Sequence, residues 1–296
     1  MTHSIGEGHG IKGRFCGLPN EFADEKAAVV ILPVPFDLTS TYQKGSDLGP
    51  AALIEASRNL EYYDIESNSE PYRIGIITAP PVICESSEAM LKSTYEKTRH
   101  YLSQGKFVIT LGGEHAISQA PIKAYAEKYP DLSVLQFDAH ADLHPAYEGN
   151  PLSHASVMAR VSEIESISSI VSVGIRSMSV QETPFINKSH TYFASDIHDN
   201  NVWMDRAISQ LKEHVYITFD LDAFDPAIMP STGTPEPGGL MWHQTLAFIK
   251  QLAREKHIVG FDIVELCPNP HNKAPDFLAA KLLYKMLSYI FASERL

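Results

Sequence analysis

In the stretch "LQFDAHADLH", residues 135–144, four side chains able to hold a metal or move a proton fall within seven positions: Asp138, His140, Asp142 and His144. Asp138 and His140 are two apart, so on an extended strand both leave one face. A second pair at this spacing, Asp220 and Asp222, lies in "TFDLDAFDP", and His115 follows two glycines in "GGEH". His115, Asp138, His140, Asp142, Asp220 and Asp222 make a set of two imidazoles and four carboxylates without sulfur. Such a set exceeds what one zinc ion takes, since zinc prefers four ligands and often thiolates. It suits two five- or six-coordinate ions such as Mn²⁺ that share bridging carboxylates. Four carboxylates against two divalent ions and a hydroxide leave about one negative charge by formal count, which would attract a cation. Any one of these residues alone reads as a cap, a turn residue or a solvated side chain.

Their recurrence at the same place in successive elements argues otherwise. "KFVITL" runs into "GGEHAIS", "SVLQF" into "DAHADLH", "VYITF" into "DLDAFDP", and "HIVGF" into "DIVEL". Each apolar, β-branched run ends in acidic residues. Further runs of this kind are "AAVVILPV", "RIGIIT" and "SISSIVSV". Helical spacing falls between many of them. Residues 86–104 place Met90, Leu91, Thr94, Tyr95, Thr98, Tyr101 and Leu102 on one stripe, with Ser86 or Ser87 as cap and Gly105 as stop. "SDLGPAALIEASRNL" starts a helix with Pro50 in its first turn, and "GGLMWHQTLAFIKQLAREK" and "APDFLAAKLLYKMLSYIFASERL" read as amphipathic helices. Strands alternating with helices predict a parallel or mostly parallel sheet covered on both faces. An open sheet and a closed eight-stranded barrel both satisfy the pattern, and in both the functional groups gather at the carboxyl ends of the strands. Gly112 and Gly113 leave room there for a close backbone approach.

The chain has 296 residues, 44% of them hydrophobic and 20% charged, an ordinary globular profile. Its net charge of -12 argues against nucleic acid or an anionic membrane as partner and suits a cationic small substrate. Cys16, Cys84 and Cys267 are too sparse for a disulfide framework or a thiolate metal site. With no signal-peptide pattern and no apolar run long enough to span a bilayer, a cytoplasmic protein is expected. It is read as one domain over residues 1–296, with about the first 25 residues as an extended arm.

"GGEH", "DAHAD", "SHASVMAR", "TFDLDAFDPAIMPSTGTPEPGGL" and "FDIVELCP", in this order, resemble the signature motifs of the ureohydrolases, the arginase and agmatinase family; "GSDLGPAALIEASRNL" resembles its glycine–proline helix start. The resemblance runs from about residue 29 to the end. It implies a three-layer α/β/α fold with a mostly parallel central sheet, two Mn²⁺ ions (other divalent transition metals being possible), hydrolysis of a guanidino group to urea, and a homo-oligomer, trimer or hexamer. It implies that His115, Asp138, Asp142 and Asp220 hold one ion and His140, Asp138, Asp220 and Asp222 the other, with Asp138 and Asp220 bridging. Glu265 stands at the place of the guanidinium-binding glutamate and His154 at that of the proton-shuttling histidine, with Asp142 passing a proton to the leaving amine. His144 has no counterpart among the ligands and is expected on the surface or a channel wall. "STGTPEPGG", residues 231–239, is expected as a proline-stiffened loop near the site, and His243 as a helix-start polar residue.

The segment "LHPAYEGNPLSHAS" lacks the Ser/Thr/Asn array with which arginases grip an α-amino acid and looks like the agmatinase branch. Agmatine, hydrolysed to putrescine and urea, is therefore the expected substrate, with Glu148 or the ring of Tyr147 meeting its distal ammonium. Arg176 in "VGIRS" keeps a guanidino acid such as guanidinobutyrate open; guanidinopropionate, formiminoglutamate, arginine and guanidine are further members of the class. A metallophosphoesterase is disfavoured because "GGEH" precedes "DAHAD" and no Asn-His pair follows. A non-catalytic, metal-bearing homologue is disfavoured because all six ligand positions and Glu265 are present.

Overall fold

The computed structural model describes residues 10–198 and 200–291. Eight strands form one sheet: β1 (Val29–Val34), β2 (Ile76–Thr78), β3 (Phe107–Gly112), β4 (Ser133–Phe137), β5 (Ser169–Ile175), β6 (Thr191–Phe193), β7 (His214–Asp220) and β8 (His257–Val264). Their order is β2-β1-β3-β8-β7-β4-β5-β6, and every pairing is parallel. The sheet is open, so the barrel is excluded. Buried on both faces, its strands are near-continuous apolar runs, as in "VVILPV" and "SVLQF". Pro33 is tolerated in β1 because β2 pairs only with Val29–Ile31, so the missing N–H falls beyond that ladder.

Helices α1 (Gly49–Ser57), α2 (Ser87–Ser103), α3 (Gln119–Lys128), α4 (Val157–Ser162), α5 (Ala194–Ile197), α6 (Val202–Ser209), α7 (Trp242–Glu255) and α8 (Ala274–Phe291) cover it. α2, α3 and α4 bury Met90, Leu102, Ile122, Tyr125, Met158 and Val161 on one face. α1, α6, α7 and α8 bury Leu53, Ile208, Phe248, Leu283 and Leu287 on the other. This is the expected three-layer α/β/α arrangement, with a sheet that is wholly rather than mostly parallel. Ser86 caps α2 by accepting from the Ala89 N–H, and Gly105 follows that helix at φ 75°. Pro50 sits in the first turn of α1.

The extended arm is corrected from Gly10 onward. Residues 15–17 and 20–22 form 3-10 turns, and Phe15, Cys16 and Leu18 are buried in the core. The reason is hydrophobic: Phe15 packs near the ring of Tyr284 in α8, and Tyr62 donates to the Cys16 carbonyl. The earlier part of that arm, residues 1–9, and the last residues of the C-terminal helical pattern, 292–296, lie outside the described residues. Among the described residues no helix is long and apolar enough to cross a membrane.

Candidate metal centre and active site

The four strand ends singled out by their acidic residues belong to β3, β8, β7 and β4, the four adjacent strands at the centre of the sheet. From β3 the chain crosses to β4 and later fills the gap with β7 and β8, so the site lies where the strand order reverses, the usual crevice of open α/β sheets. β3 delivers His115, β4 delivers Asp138, His140 and Asp142, β7 delivers Asp220 and Asp222, and β8 delivers Glu265. Gly113 makes the first delivery possible. Its N–H donates to the Val34 carbonyl, and a Cβ there would stand 2.1 Å from the Phe36 oxygen. Asp142 and Glu265 both hold left-handed backbone, at φ 53° and 65°, strained conformations of the kind that cluster at functional sites.

His115 Nδ1 lies 3.1 Å from Asp138 Oδ2, 3.0 Å from Asp142 Oδ2 and 3.5 Å from Asp220 Oδ2. His140 Nδ1 lies 2.9 Å from Asp222 Oδ2 and 3.7 Å from Asp138 Oδ1. Two groups could each hold an ion, His115–Asp138–Asp220 and Asp138–His140–Asp222. Asp138 belongs to both, as a bridging ligand must; Asp220 belongs to the first and accepts the Asp222 N–H. The carboxylates are oriented from behind. Asp138 accepts from the His140 N–H and from Gln136 Nε2, and Asp222 accepts from the Ala139 N–H.

The donor set fits cations. Thr218 Oγ1 donates to Asp262, so His115 Nε2–H must donate to Thr218, at 2.8 Å, leaving the Nδ1 lone pair aimed at three carboxylates. That geometry is repulsive unless a proton or a metal ion stands between them. The protonation pattern says the same. Burial and the charge of Asp222 push Asp138 up, burial and Asp138 push Asp142 up to about 7, and burial with Asp222 and Asp138 pushes Asp220 well above the carboxylate range. Against burial, contacts with Asp138 and Asp142 raise His115, and Asp222 raises His140 to about 10. Against burial, His140 and the Ala139 N–H hold Asp222 down at about 2. So many carboxylates buried together are mutually repulsive, and a divalent ion held between them would offset that repulsion.

A cavity of about 200 Å³ opens over these groups, lined also by His154, Tyr147, His144, Thr234 and Glu265. Glu265 accepts the His115 N–H at 2.7 Å, and burial and Glu114 raise it well above the carboxylate range. His154 Nδ1 lies 3.2 Å from Thr39 Oγ1; burial, then His115 and His140, lower it to about 4.

Several sequence expectations are revised here. Glu148 is exposed, at φ 49° in the turn closed by Tyr147 and Asn150, and is not among the lining residues. Sequence proximity placed it near the site; the structure leaves it in solvent on that turn. Tyr147 does line the cavity. Arg176 gives its guanidinium to the carbonyls of Gly174, Asp222, Ala223, Phe224 and Glu236, so it ties the loop after β7 to residue 236 and does not face a substrate. His144 proves a wall residue, paired with Glu182 at 3.3 Å. Residues 231–239 contribute Gly233 and Thr234 to the lining, while His243 is in the first turn of α7. Sequence reasoning missed Glu182, the Thr218–Asp262 pair and the loop carrying Thr39, Ser40 and Thr41. Asp37 pins that loop by accepting the Gly45 and Ser46 N–H groups, and Glu114 accepts from Thr39 and Ser40.

Comparison with known proteins agrees with this geometry. The model of the arginase family matches residues 27–288. The N(1)-aminopropylagmatine ureohydrolase of Synechocystis sp. is 34% identical over 300 aligned positions, covering 95% of this chain and 97% of that protein. The agmatinase of Bacillus anthracis is 34% identical, covering 89% and 92%. The crystal structure of agmatine ureohydrolase from Thermoplasma volcanium superposes with a TM-score of 0.85 at 32% identity, covering 93% of this chain and 95% of that one. The chain belongs to the arginase family and is a ureohydrolase, a hydrolase of guanidino C–N bonds.

Proposed function

We propose that the protein hydrolyses agmatine to putrescine and urea, using two divalent ions of which Mn²⁺ is the expected choice. The observation that carries the choice of an amine-tailed substrate is the cavity wall. Among the described residues lining it there is no Lys or Arg; Arg176 gives its guanidinium to backbone carbonyls, and Lys44, close enough to lower His154, is paired with Asp37. A guanidino acid would leave its carboxylate unpaired there. A doubly cationic guanidine meets the carboxylates of Asp142, Glu182, Asp220, Asp222 and Glu265.

The roles follow from chemistry. His115, Asp138, Asp142 and Asp220 would hold one ion, and His140, Asp138, Asp220 and Asp222 the other. Two such ions supply Lewis acidity that makes water nucleophilic near neutral pH. The guanidinium stays protonated at any working pH, its pKa being about 12.5 or more. Its charge beside Glu265 restores the carboxylate that burial disfavours, and two parallel hydrogen bonds orient the guanidino carbon. Asp142 would carry a proton to the leaving amine. His154, neutral at neutral pH, exchanges protons with solvent along the cavity. Tyr147 offers a ring face to the tail. A cytoplasmic location and a homo-oligomer, trimer or hexamer, complete the reading; the three free cysteines support the first.

The relatives give a second substrate, N(1)-aminopropylagmatine, which shares the guanidine and the amine tail. A urea-release screen of agmatine, its N(1)-aminopropyl derivative, guanidinobutyrate and arginine, with metal content measured on the same sample, tests the proposal. Agmatine is expected to give the highest kcat/KM; faster turnover of guanidinobutyrate or arginine would overturn the reading.

A further inference from the structure

The cavity wall contains one carboxylate that neither the metal ligands nor the guanidinium accounts for. Glu182 is 3% exposed yet lines the cavity, at the end of the short 3-10 turn Val180–Glu182. Its Oε1 accepts the Leu143 N–H at 2.9 Å, and its Oε2 accepts the Ser179 N–H at 2.7 Å. Two backbone donors therefore fix the carboxylate whether or not substrate is present. Its remaining contact is His144 Nε2, at 3.3 Å. An ionised carboxylate offers about four acceptor positions, so at least one stays free.

Position along the wall adds to this. The ring of Tyr147 packs edge-on against both His154 and His144, with centroids 5.8 and 5.2 Å apart, so the three rings make one continuous aromatic wall. His154 closes one end, bonded to Thr39, and Glu182 closes the other through His144. A linear substrate with its guanidinium among Glu265, His154 and the ligands would lay its tail along these rings. Its second positive charge would then reach Glu182. We propose that Glu182 is the specificity-determining residue that accepts the distal ammonium, with His144 and Tyr147 as the walls of that subsite. The proposal rests on the amine-tailed substrate reading above and assigns to Glu182, which lines the cavity, the role expected from the sequence for Glu148, which does not.

The competing role is structural, since Glu182 also ties the turn at Ser179 to the backbone beside Asp142. Kinetics separate the two. Agmatine and n-pentylguanidine have the same length, with a methyl group replacing the amine. In Glu182→Gln, kcat/KM for agmatine is expected to fall about ten- to a hundredfold, chiefly through KM, as for one lost charge-assisted hydrogen bond. n-Pentylguanidine should be turned over as by the wild type, so the preference between the two collapses. Glu182→Asp keeps the charge and withdraws it by one methylene. It should shift the preference from agmatine toward 5-aminopentylguanidine, and it serves as the test if the Gln variant does not fold. An equal loss on both substrates, or a preference for agmatine retained in the Gln variant or unshifted in the Asp variant, would overturn the proposal. A wild type that does not prefer agmatine over n-pentylguanidine would instead overturn the amine-tailed reading itself, and this inference with it.

Discussion

Several of the candidate ligands have strongly displaced protonation, and this makes the site testable without a substrate. Asp142 is pushed up to about 7, above the ordinary value of about 3.9 that it regains when unfolded. A raised carboxylate binds more protons folded than unfolded, so its contribution to stability is lost as pH rises from about 4 to 7. His140, raised to about 10, stabilises fully below its unfolded value of about 6.5 and loses that contribution as pH rises through about 10. Chelator-treated protein is therefore expected to lose melting temperature steadily from pH 4 upward, and Mn²⁺ should restore most of the loss at pH 8. A Tm that is flat with pH and unaffected by chelation would refute this charge assignment. Asp222→Ala removes one candidate ligand and the partner of His140; activity should fall by more than about a hundredfold, with the circular dichroism spectrum intact. The six candidate ligands were legible in the sequence because metal sites need particular residue types at strand-end spacings. Glu182 was not. In "SVQETP" it is one acid without a recurring neighbour, and only folding brings it to Leu143 and His144.

At the scale of elements, the segment between β4 and α4 is a wall on one side and solvent on the other. Tyr147 and Glu148 are adjacent in sequence yet have different surroundings: Tyr147, at the base of the turn it closes with Asn150, lines the cavity, whereas Glu148, within that turn, is exposed. Steady-state kinetics with agmatine should show this: Tyr147→Ala raises KM severalfold, about 1 kcal/mol for a lost ring contact with a cation, whereas Glu148→Ala changes kcat/KM by less than about twofold. A large effect at Glu148 would mean that the turn adopts another conformation in the working enzyme. Long elements with strong periodicity, such as α2 and α8, could be read directly. The missed ones have physical causes. β6 is three residues at the sheet edge, α4 has six residues, and α3 carries Pro121 at its third position, where the missing N–H costs nothing because first-turn donors have no intrahelical acceptor. Strand order was illegible for a different reason: apolar runs report burial, not which neighbour buries them.

The whole molecule is held by two apolar faces and by one buried charge cluster far from the chemistry. Lys285, 4% exposed, donates to both oxygens of Asp64 at 3.1 and 2.9 Å and to Glu66 at 2.7 Å; Lys250 and Tyr289 complete the pairing of Glu66. It anchors the loop before β2 to α7 and α8. Lys285→Ala would leave Asp64 buried without its cation, and denaturant unfolding should show a loss of about 3–5 kcal/mol with kcat/KM for the remaining folded enzyme unchanged. A loss below about 1 kcal/mol would show that water replaces the ammonium. The order of the central strands has its own consequence, in time rather than in space. β3 and β4 are formed early in the chain but are not neighbours; the two strands between them, β7 and β8, come only after residue 213. A growing chain must therefore leave a two-strand slot and close it late. Until β7 enters, His115, Asp138, His140 and Asp142 have no Asp220 or Asp222 beside them, so the set of candidate ligands is complete only when most of the chain has been made. Assembly of the candidate metal centre is thus tied to completion of the sheet.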